Sequence, residues 1–394
     1  MLALAAAVFL VLRAVRKDDG VLERNREFGA RFIARQDPYF DPARGHRVHG
    51  PYPPSYVLVT APLALVPEPL ARGAWAVLQI AALASCFVLV QRWLSRGWPE
   101  CAPHASVIFA LALLLASRFL LRDMAGGGGN ILYAVLALWG IEFALRDRNV
   151  IGGGLLALSL VLKPNLAPLV LFLVCRRRWR ALGATTALAL VLFAAPALWY
   201  GVENYARLAV RWIGDVAQFA QAAELNDARA IPDGFPLADT SMNQSLREAL
   251  WRAMAADMAA WIARLATIGI TLVACLTAVR ARGERAATVA LTLFLPVSLL
   301  ISPISWKAHH VVLLGLFVVL IAEVWASRRR WVGIPLVVYY VTCVLLSEEL
   351  VGKAMKNTLQ EISVVTLGAL ALFALGVALV FVLTRARQDA GGAA

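Results

Sequence analysis

Apolar residues come in this chain as long unbroken runs separated by short polar breaks, and the runs recur over most of its length. Runs of that length predict membrane-spanning helices, at about 71–91, 104–121, 130–145, 181–200, 259–279, 286–301, 309–326, 331–346 and 360–384. An earlier run, 2–15, is short of the roughly 20 residues of a full span. No basic segment precedes it and no small-residue cleavage site is clear, so it is not read as a removable signal peptide. Between it and the first long run, 17–54 is polar. Within that stretch Val21, Leu22, Phe28, Phe32 and Ile33 recur at helical spacing, which predicts an amphipathic helix over 20–35 lying on the membrane. Pro51-Tyr52-Pro53-Pro54 then forms a rigid turn, and 55–66, closed by Pro67 and Pro69, reads as a half-embedded or re-entrant piece.

The run 151–175 has the length of one span but carries Lys163-Pro164-Asn165 in its middle. Arg146 and Arg148 flank one end and 176–180, with four arginines, the other. A single crossing puts these clusters on opposite faces, whereas two short helices meeting at Lys163-Pro164 put them on the same one. With the second choice Arg92/Arg96, Arg146/Arg148, 176–180, Arg280/Arg282/Arg285, 328–330 and Arg385/Arg387 all fall on the cytoplasmic side. The other face then receives 17–54, 122–130, 163–165, 202–257, 302–310 and 347–357. The cations Lys17, Arg24, Arg26, Arg31, Arg35, Arg44 and Arg47 oppose this assignment, but a long loop follows the charge bias weakly; they point instead to an anionic ligand.

Composition agrees with this class. The chain has 394 residues, 60% hydrophobic and 16% charged, with mean hydropathy +0.70, which excludes an ordinary soluble domain. The net charge of +13 reflects positive cytoplasmic loops and anionic lipid rather than nucleic acid. The five cysteines form neither a metal spacing nor a disulfide framework. The expectation is an all-α polytopic membrane protein with one integral membrane domain, 1–387. Two large outer loops, 17–70 and 202–257, belong to it, and 388–394 is a disordered cytoplasmic tail.

The candidate chemistry collects on the outer face. Asp18 and Asp19 follow the first run at membrane level; they are a solvated pair or a base for an acceptor hydroxyl. Gly126-Gly127-Gly128-Gly129-Asn130 opens a span, with Arg122 before it. It is a hinge or, through exposed amides at a helix start, an anion site suited to phosphate. Lys163 at mid-membrane depth requires a partner, and a lipid phosphate is an obvious one. Ser302-Pro303-Ile304-Ser305-Trp306-Lys307-Ala308-His309-His310 joins two apolar runs with hydroxyls, an indole, a cation and two imidazoles. Adjacent histidines on a helix point about 100° apart and poorly share one metal ion. One imidazole acting as donor, base or orienter fits better, and no metal site or cofactor is assigned. Trp306 and Tyr52 are candidate sugar platforms, and Asn243 and Gln244 share this face.

Asp37-Pro38-Tyr39, Tyr52-Pro53-Pro54, the glycine–Asn130 start, Lys163-Pro164, Arg178-Trp179-Arg180, Asn243-Gln244-Ser245 and Ser302-Pro303-Ile304-Ser305-Trp306 with His309-His310 resemble, in order and spacing, glycosyltransferase family 87. These are membrane mannosyltransferases of the C class that use polyprenyl-phosphate mannose. The resemblance implies a C-class bundle of roughly 10–12 membrane helices with short outer amphipathic or re-entrant helices. It implies transfer of a sugar, mannose first, to an acceptor hydroxyl at the extracytoplasmic face of a cell membrane, with inversion. The family's catalytic aspartate falls on Asp19 or Asp18, with the spacing to Asp37 favouring Asp19, and its functional histidine on His309 or His310. Donor phosphate or sugar contacts would come from Lys163, Asn130, Gly128, Gly129, Arg122, Tyr52, Asn243, Gln244, Trp306 and Lys307. The partners implied are the lipid-linked sugar, a glycolipid or glycan acceptor and membrane lipid. This chain departs from the family at Gly128-Gly129, where many members read Gly-Gln, and at Gly20-Val21-Leu22-Glu23. Two other readings use the same residues: a lipid or solute transporter or flippase, and a polymerase or ligase of lipid-linked glycans.

Overall fold

The computed structural model of the chain describes residues 20–42, 45–47, 52–225 and 242–392. The run 2–15, Asp18 and Asp19 lie outside the described residues. What is described folds into helices joined by short turns, apart from an antiparallel pair of two-residue strands, Phe40–Asp41 and His46–Arg47, with Phe40 opposite Arg47.

Among the described residues seven helices are long and apolar enough to cross a membrane: Glu68–Gly97, Pro99–Ala125, Trp179–Tyr200, Asp257–Arg280, Gly283–Leu300, Lys307–Ser327 and Val364–Gln388. Arg330–Leu345 with Glu348–Glu361 adds an eighth if that pair, bent by 94°, is one span. Pro54–Ala64, Asn130–Leu145, Asn149–Leu162 and Pro164–Cys175 are shorter apolar helices. The chain is therefore an all-helical polytopic membrane protein. The span expected at 130–145 forms with those bounds, but its 16 residues reach only about 24 Å, less than the roughly 30 Å of a hydrocarbon core. The segment 202–257 is itself partly helical, with Val202–Leu225 and Leu246–Ala253 inside it. The last helix runs on to Gly392, so 388–392 is helical where a disordered tail was expected.

One compact unit gathers Met1–Ala82, Asp123–Pro164 and Arg180–Ala238. In it Val21–Ile33 forms as its pattern predicts, burying Leu22, Asn25, Phe28, Gly29 and Phe32. Phe28 and Phe32 join Tyr39, Val57, Ala61 and Leu208 in a small core that fixes the segment 21–61 to the Val202–Leu225 helix. Asn130–Leu145 and Asn149–Leu162 pack backbone to backbone. A Cβ on Gly140 would lie 2.8 Å from the Gly152 carbonyl oxygen, and one on Gly152 would lie 2.6 Å from that of Gly140. Small residues permit this approach between apolar helices.

The other unit gathers Leu83–Arg122, Asn165–Trp179 and Asp239–Ala394. Its centre is the pair Gly283–Leu300 and Lys307–Ser327, both largely buried. Glu323, 1% exposed, is retained there because Arg329 Nε lies 3.0 Å from one carboxylate oxygen and the Trp98 indole N–H donates to the other at 3.0 Å.

Candidate active site

In the first unit the Asn149–Leu162 helix stops at Lys163, whose backbone leaves helical geometry (φ −146°, ψ 84°) before a 3-10 turn at Pro164–Leu166. Proline at 164 disfavours helix at the residue before it, so the break is written in the sequence. The Lys163 side chain is 8% exposed. Its ammonium lies 5.4 Å from the centre of the Tyr52 ring, a cation–π contact. Tyr52 is stacked on Tyr56 at 4.2 Å and 20°. The Tyr56 hydroxyl accepts from Asn25 Nδ2 at 2.6 Å and lies 3.3 Å from the Tyr133 hydroxyl. Ser159 Oγ donates to the Tyr133 carbonyl at 2.8 Å, tying the helix before Lys163 to the cluster.

Asp123, absent from the sequence-based candidates, is fully buried in this unit. Asn130 Nδ2 donates to its Oδ1 at 2.5 Å and the Ile131 amide to its Oδ2 at 3.2 Å. The Gly127 and Gly128 amides are turned back on the carbonyls of Met124 and Asp123 at 3.2 and 3.0 Å. The glycine run thus has a concrete cause. Gly129 stands at φ +71°, and a Cβ on Gly128 would collide with Asp123 Oδ1. At this helix start the Asp123 carboxylate takes the Asn130 side chain and the Ile131 amide, so the Gly128, Gly129 and Asn130 of the sequence-based candidates surround the chain's own acid. Lys163 is among the charges that act on Asp123. The structure therefore brings Tyr52, Gly128, Gly129, Asn130 and Lys163 together around a residue pair, Asp123–Asn130, seven positions apart.

In the second unit Asn243 and Gln244 staple the 302–306 loop. Asn243 Oδ1 accepts from the Ser305 and Ser245 amides at 2.9 and 3.1 Å, and its Nδ2 donates to the Pro303 carbonyl at 3.0 Å. The Gln244 amide donates to the Ser305 carbonyl at 2.7 Å, and Thr366 Oγ1 donates to the Gln244 carbonyl at 2.8 Å. Arg252 donates to the Asn243 carbonyl at 3.0–3.1 Å and to Ser363 Oγ at 2.7 Å. Burial pulls Arg252 below the usual arginine range, opposed by Glu248, and pushes the Glu248 carboxyl up against the pull of Arg252 and Arg247.

The two imidazoles diverge as helical geometry requires. His309 Nδ1 accepts from the Trp306 amide at 3.2 Å, closing the start of the Lys307–Leu313 turn. His310 is fully buried, 5.5 Å from the Phe119 ring, with Nδ1 3.3 Å from the Trp306 carbonyl oxygen. Its Nε2 has no hydrogen-bond partner among the described residues. Lys307, 6% exposed, donates to Gln360 Oε1. The charges that act on it are those of Arg118, Arg122, Lys356 and Glu348. Trp306 is half-buried and Arg122 exposed. Gln360 and Arg118 carry no motif that single-sequence reading could have found. For Asp123 the signal was there: an acid closing a long apolar run is rare enough to be functional by default.

Residues 51–303 match the family described as glycosyltransferase family 87. Over 273 residues the chain is 32% identical to a Mycobacterium tuberculosis protein, "Polyprenol-phosphate-mannose-dependent alpha-(1-2)-phosphatidylinositol pentamannoside mannosyltransferase", covering 68% of this chain and 58% of that one. Over 154 residues it is 28% identical to an "Alpha-(1->3)-arabinofuranosyltransferase" of the same organism, covering 39% of this chain and 34% of that one. The chain thus spans less than two thirds of the length of either curated relative.

Proposed function

The chain belongs to glycosyltransferase family 87, and we propose that it moves a sugar, mannose first, from a polyprenyl-phosphate donor to a hydroxyl of a glycolipid or glycan at the extracytoplasmic face of a cell membrane. The choice of donor follows the relative that depends on polyprenol-phosphate-mannose. The observation that carries it in this chain is Lys163: a lysine 8% exposed, held where a short apolar helix ends, with its ammonium over a tyrosine ring. A cation held in an apolar setting marks a functional site by default, and an anionic headgroup would add to the interactions Lys163 already makes.

In this reading Asp19 or Asp18 takes the proton of the acceptor hydroxyl as its oxygen attacks the anomeric carbon. The bond from that carbon to the phosphate oxygen breaks on the opposite side, and the configuration inverts. The leaving group departs as an anion, so it needs no general acid. Lys163 stabilises the charge that develops on it. Tyr52 meets the sugar beside Lys163. His309 or His310, Trp306 and Lys307 are the sugar or phosphate contacts that the family resemblance implies. Asn243 and Gln244 contribute by fixing the loop that carries Trp306, and Gly128, Gly129 and Asn130 by fixing Asp123.

Asp19→Asn is expected to abolish transfer while retaining donor binding. Normal turnover by that variant with Asp18→Asn inactive moves the base by one residue, and normal turnover by both removes the scheme. Lys163→Met is expected to raise the donor KM by at least tenfold, of the order of 1.4 kcal/mol in lost binding. Consumption of the donor by the protein in detergent, where no gradient exists, separates transfer from transport. A second sugar has one observation in its favour, the similarity to an arabinofuranosyltransferase. Competing the mannose and arabinofuranose donors in one assay decides between them.

A further inference from the structure

In the first unit, apart from the Lys163 cluster, a concavity of about 540 Å³ is lined by Gln36, Asp37, Phe40, Pro42 and Arg211, within the size range of small-ligand sites. The first four come from the turn and strand after the Val21–Ile33 helix, and Arg211 from the Val202–Leu225 helix.

Its walls are held in place. The Gln36 amide donates to the Arg31 carbonyl at 2.9 Å, and the Tyr200 hydroxyl donates to the Gln36 carbonyl at 2.7 Å. Asp37 Oδ1 accepts from the Tyr39 amide at 3.0 Å, and the Phe40 amide donates to the Asp37 carbonyl at 3.2 Å. Tyr39, 1% exposed, anchors the turn in the core that also holds Leu208 and Trp212, on either side of Arg211. What faces outward has been left available. Among the described residues the Gln36 and Arg211 side chains have no partner, and the Phe40 ring is 41% exposed.

The mixture of groups selects the ligand. Asp37 only accepts, Arg211 only donates and Gln36 does both. An anion would meet the Asp37 carboxylate and a cation the Arg211 guanidinium. A purely apolar ligand would strip water from the Gln36 and Arg211 side chains without replacing it. A polyol answers all of them: its hydroxyls both donate and accept, and its C–H face covers an exposed ring. The turn that lines the cavity is tied to the Lys163 cluster by one hydrogen bond, from the Tyr39 hydroxyl to the Tyr52 carbonyl at 2.8 Å.

We propose that this concavity is a saccharide subsite and that its occupant is the acceptor, seated by Phe40 with Gln36, Asp37 and Arg211 on its hydroxyls. The saccharide class follows from the cavity; the assignment to the acceptor rests on the transfer reading given above.

The test uses the full chain in detergent, synthetic polyprenyl-phosphate mannose as donor and octyl α-mannoside as acceptor. Arg211→Ala and Phe40→Ala are each expected to raise the acceptor KM by about tenfold, with kcat and donor KM within twofold of the wild type. Phe40→Trp retains the platform and should stay close to wild type. Arg207→Ala, one turn away and bonded to Asn204 and Glu203, should change nothing. A rise in donor KM instead assigns the cavity to the donor sugar and overturns the proposal, as does an unchanged acceptor KM in both alanine variants. If the wild type transfers nothing from any lipid-linked sugar, the transfer reading fails separately. Saturation-transfer NMR with methyl α-mannoside then decides the subsite alone: signals lost in both alanine variants support it, and signals equal to wild type overturn it.

Discussion

Asp123 shows how much one buried carboxylate organises. It takes an amide and a side-chain N–H at the start of the Asn130–Leu145 helix, and a charged acceptor at a helix N-terminus is favourable twice over, through its hydrogen bonds and through the helix dipole. Removing it leaves two donors orphaned away from water, at about 1–3 kcal/mol each. Asp123→Ala should therefore lower the melting temperature in detergent by several degrees, and Asp123→Asn, which keeps one acceptor, by less. Equal melting of both variants and the wild type would mean the carboxylate carries no structural load. Gly128 is the other half of the arrangement. A methyl there meets Asp123 Oδ1, so Gly128→Ala should destabilise by roughly 1–3 kcal/mol as an overpacked site does. Gly73→Ala, in a helix with nothing within 4 Å of the added carbon, should be neutral or gain up to about 1 kcal/mol. Comparing the two by thermal unfolding separates the local collision from a general intolerance of alanine.

At the scale of elements, the 302–306 loop is held by side-chain amides rather than by its own regular structure. Asn243→Ala removes the acceptor of two backbone amides and the donor to a carbonyl. It should speed hydrogen exchange at the Ser305 amide by more than tenfold and reduce transfer without changing donor chemistry. Slow exchange retained in the variant would show that the loop is fixed otherwise. The helix that follows carries the pH dependence. Burial raises Glu248, so the folded state prefers its neutral form. That preference is fully present below the unfolded carboxyl value of about 4.3 and is lost as pH rises through the higher folded value. Glu248→Gln should melt above the wild type at neutral pH and converge with it in acid; parallel melting curves from acid to neutral pH would contradict this. Elements also show what the sequence could yield. The amphipathic Val21–Ile33 helix and the break at Lys163 were legible because each follows from local rules, apolar spacing for one and a proline for the other. Asp123 with Asn130 was not, because its partner lies across a turn with Gly127 and Gly129 at positive φ, a geometry no periodicity encodes. Asn243 and Gln244 were legible as polar residues in a significant place, but their work as staples depends on a loop some 60 positions away in sequence.

At the scale of the whole molecule, the polytopic helical class was legible because apolar runs and basic clusters are additive properties that survive ignorance of packing. Sidedness is the inference that extends furthest from them, and its weak joint is 151–175. Broken at Lys163, this stretch leaves 146–148 and 176–180 on one face; unbroken, it places them on opposite faces and inverts everything after it. The chain offers a direct measurement. Its five cysteines are free, three of them buried, so a cysteine-less background can receive single probes at exposed sites. Arg180→Cys and Arg282→Cys sit beside basic clusters, and Arg207→Cys and Lys353→Cys in the polar segments assigned to the other face. A membrane-impermeant maleimide on intact cells should label positions 207 and 353 and spare 180 and 282 until the membrane is permeabilised. Labelling at 180 without permeabilisation would mean that the chain crosses completely through Lys163. That lysine would then stand inside a continuous span rather than at the end of a short helix, with Asp123 rather than a surface phosphate as its counter-charge.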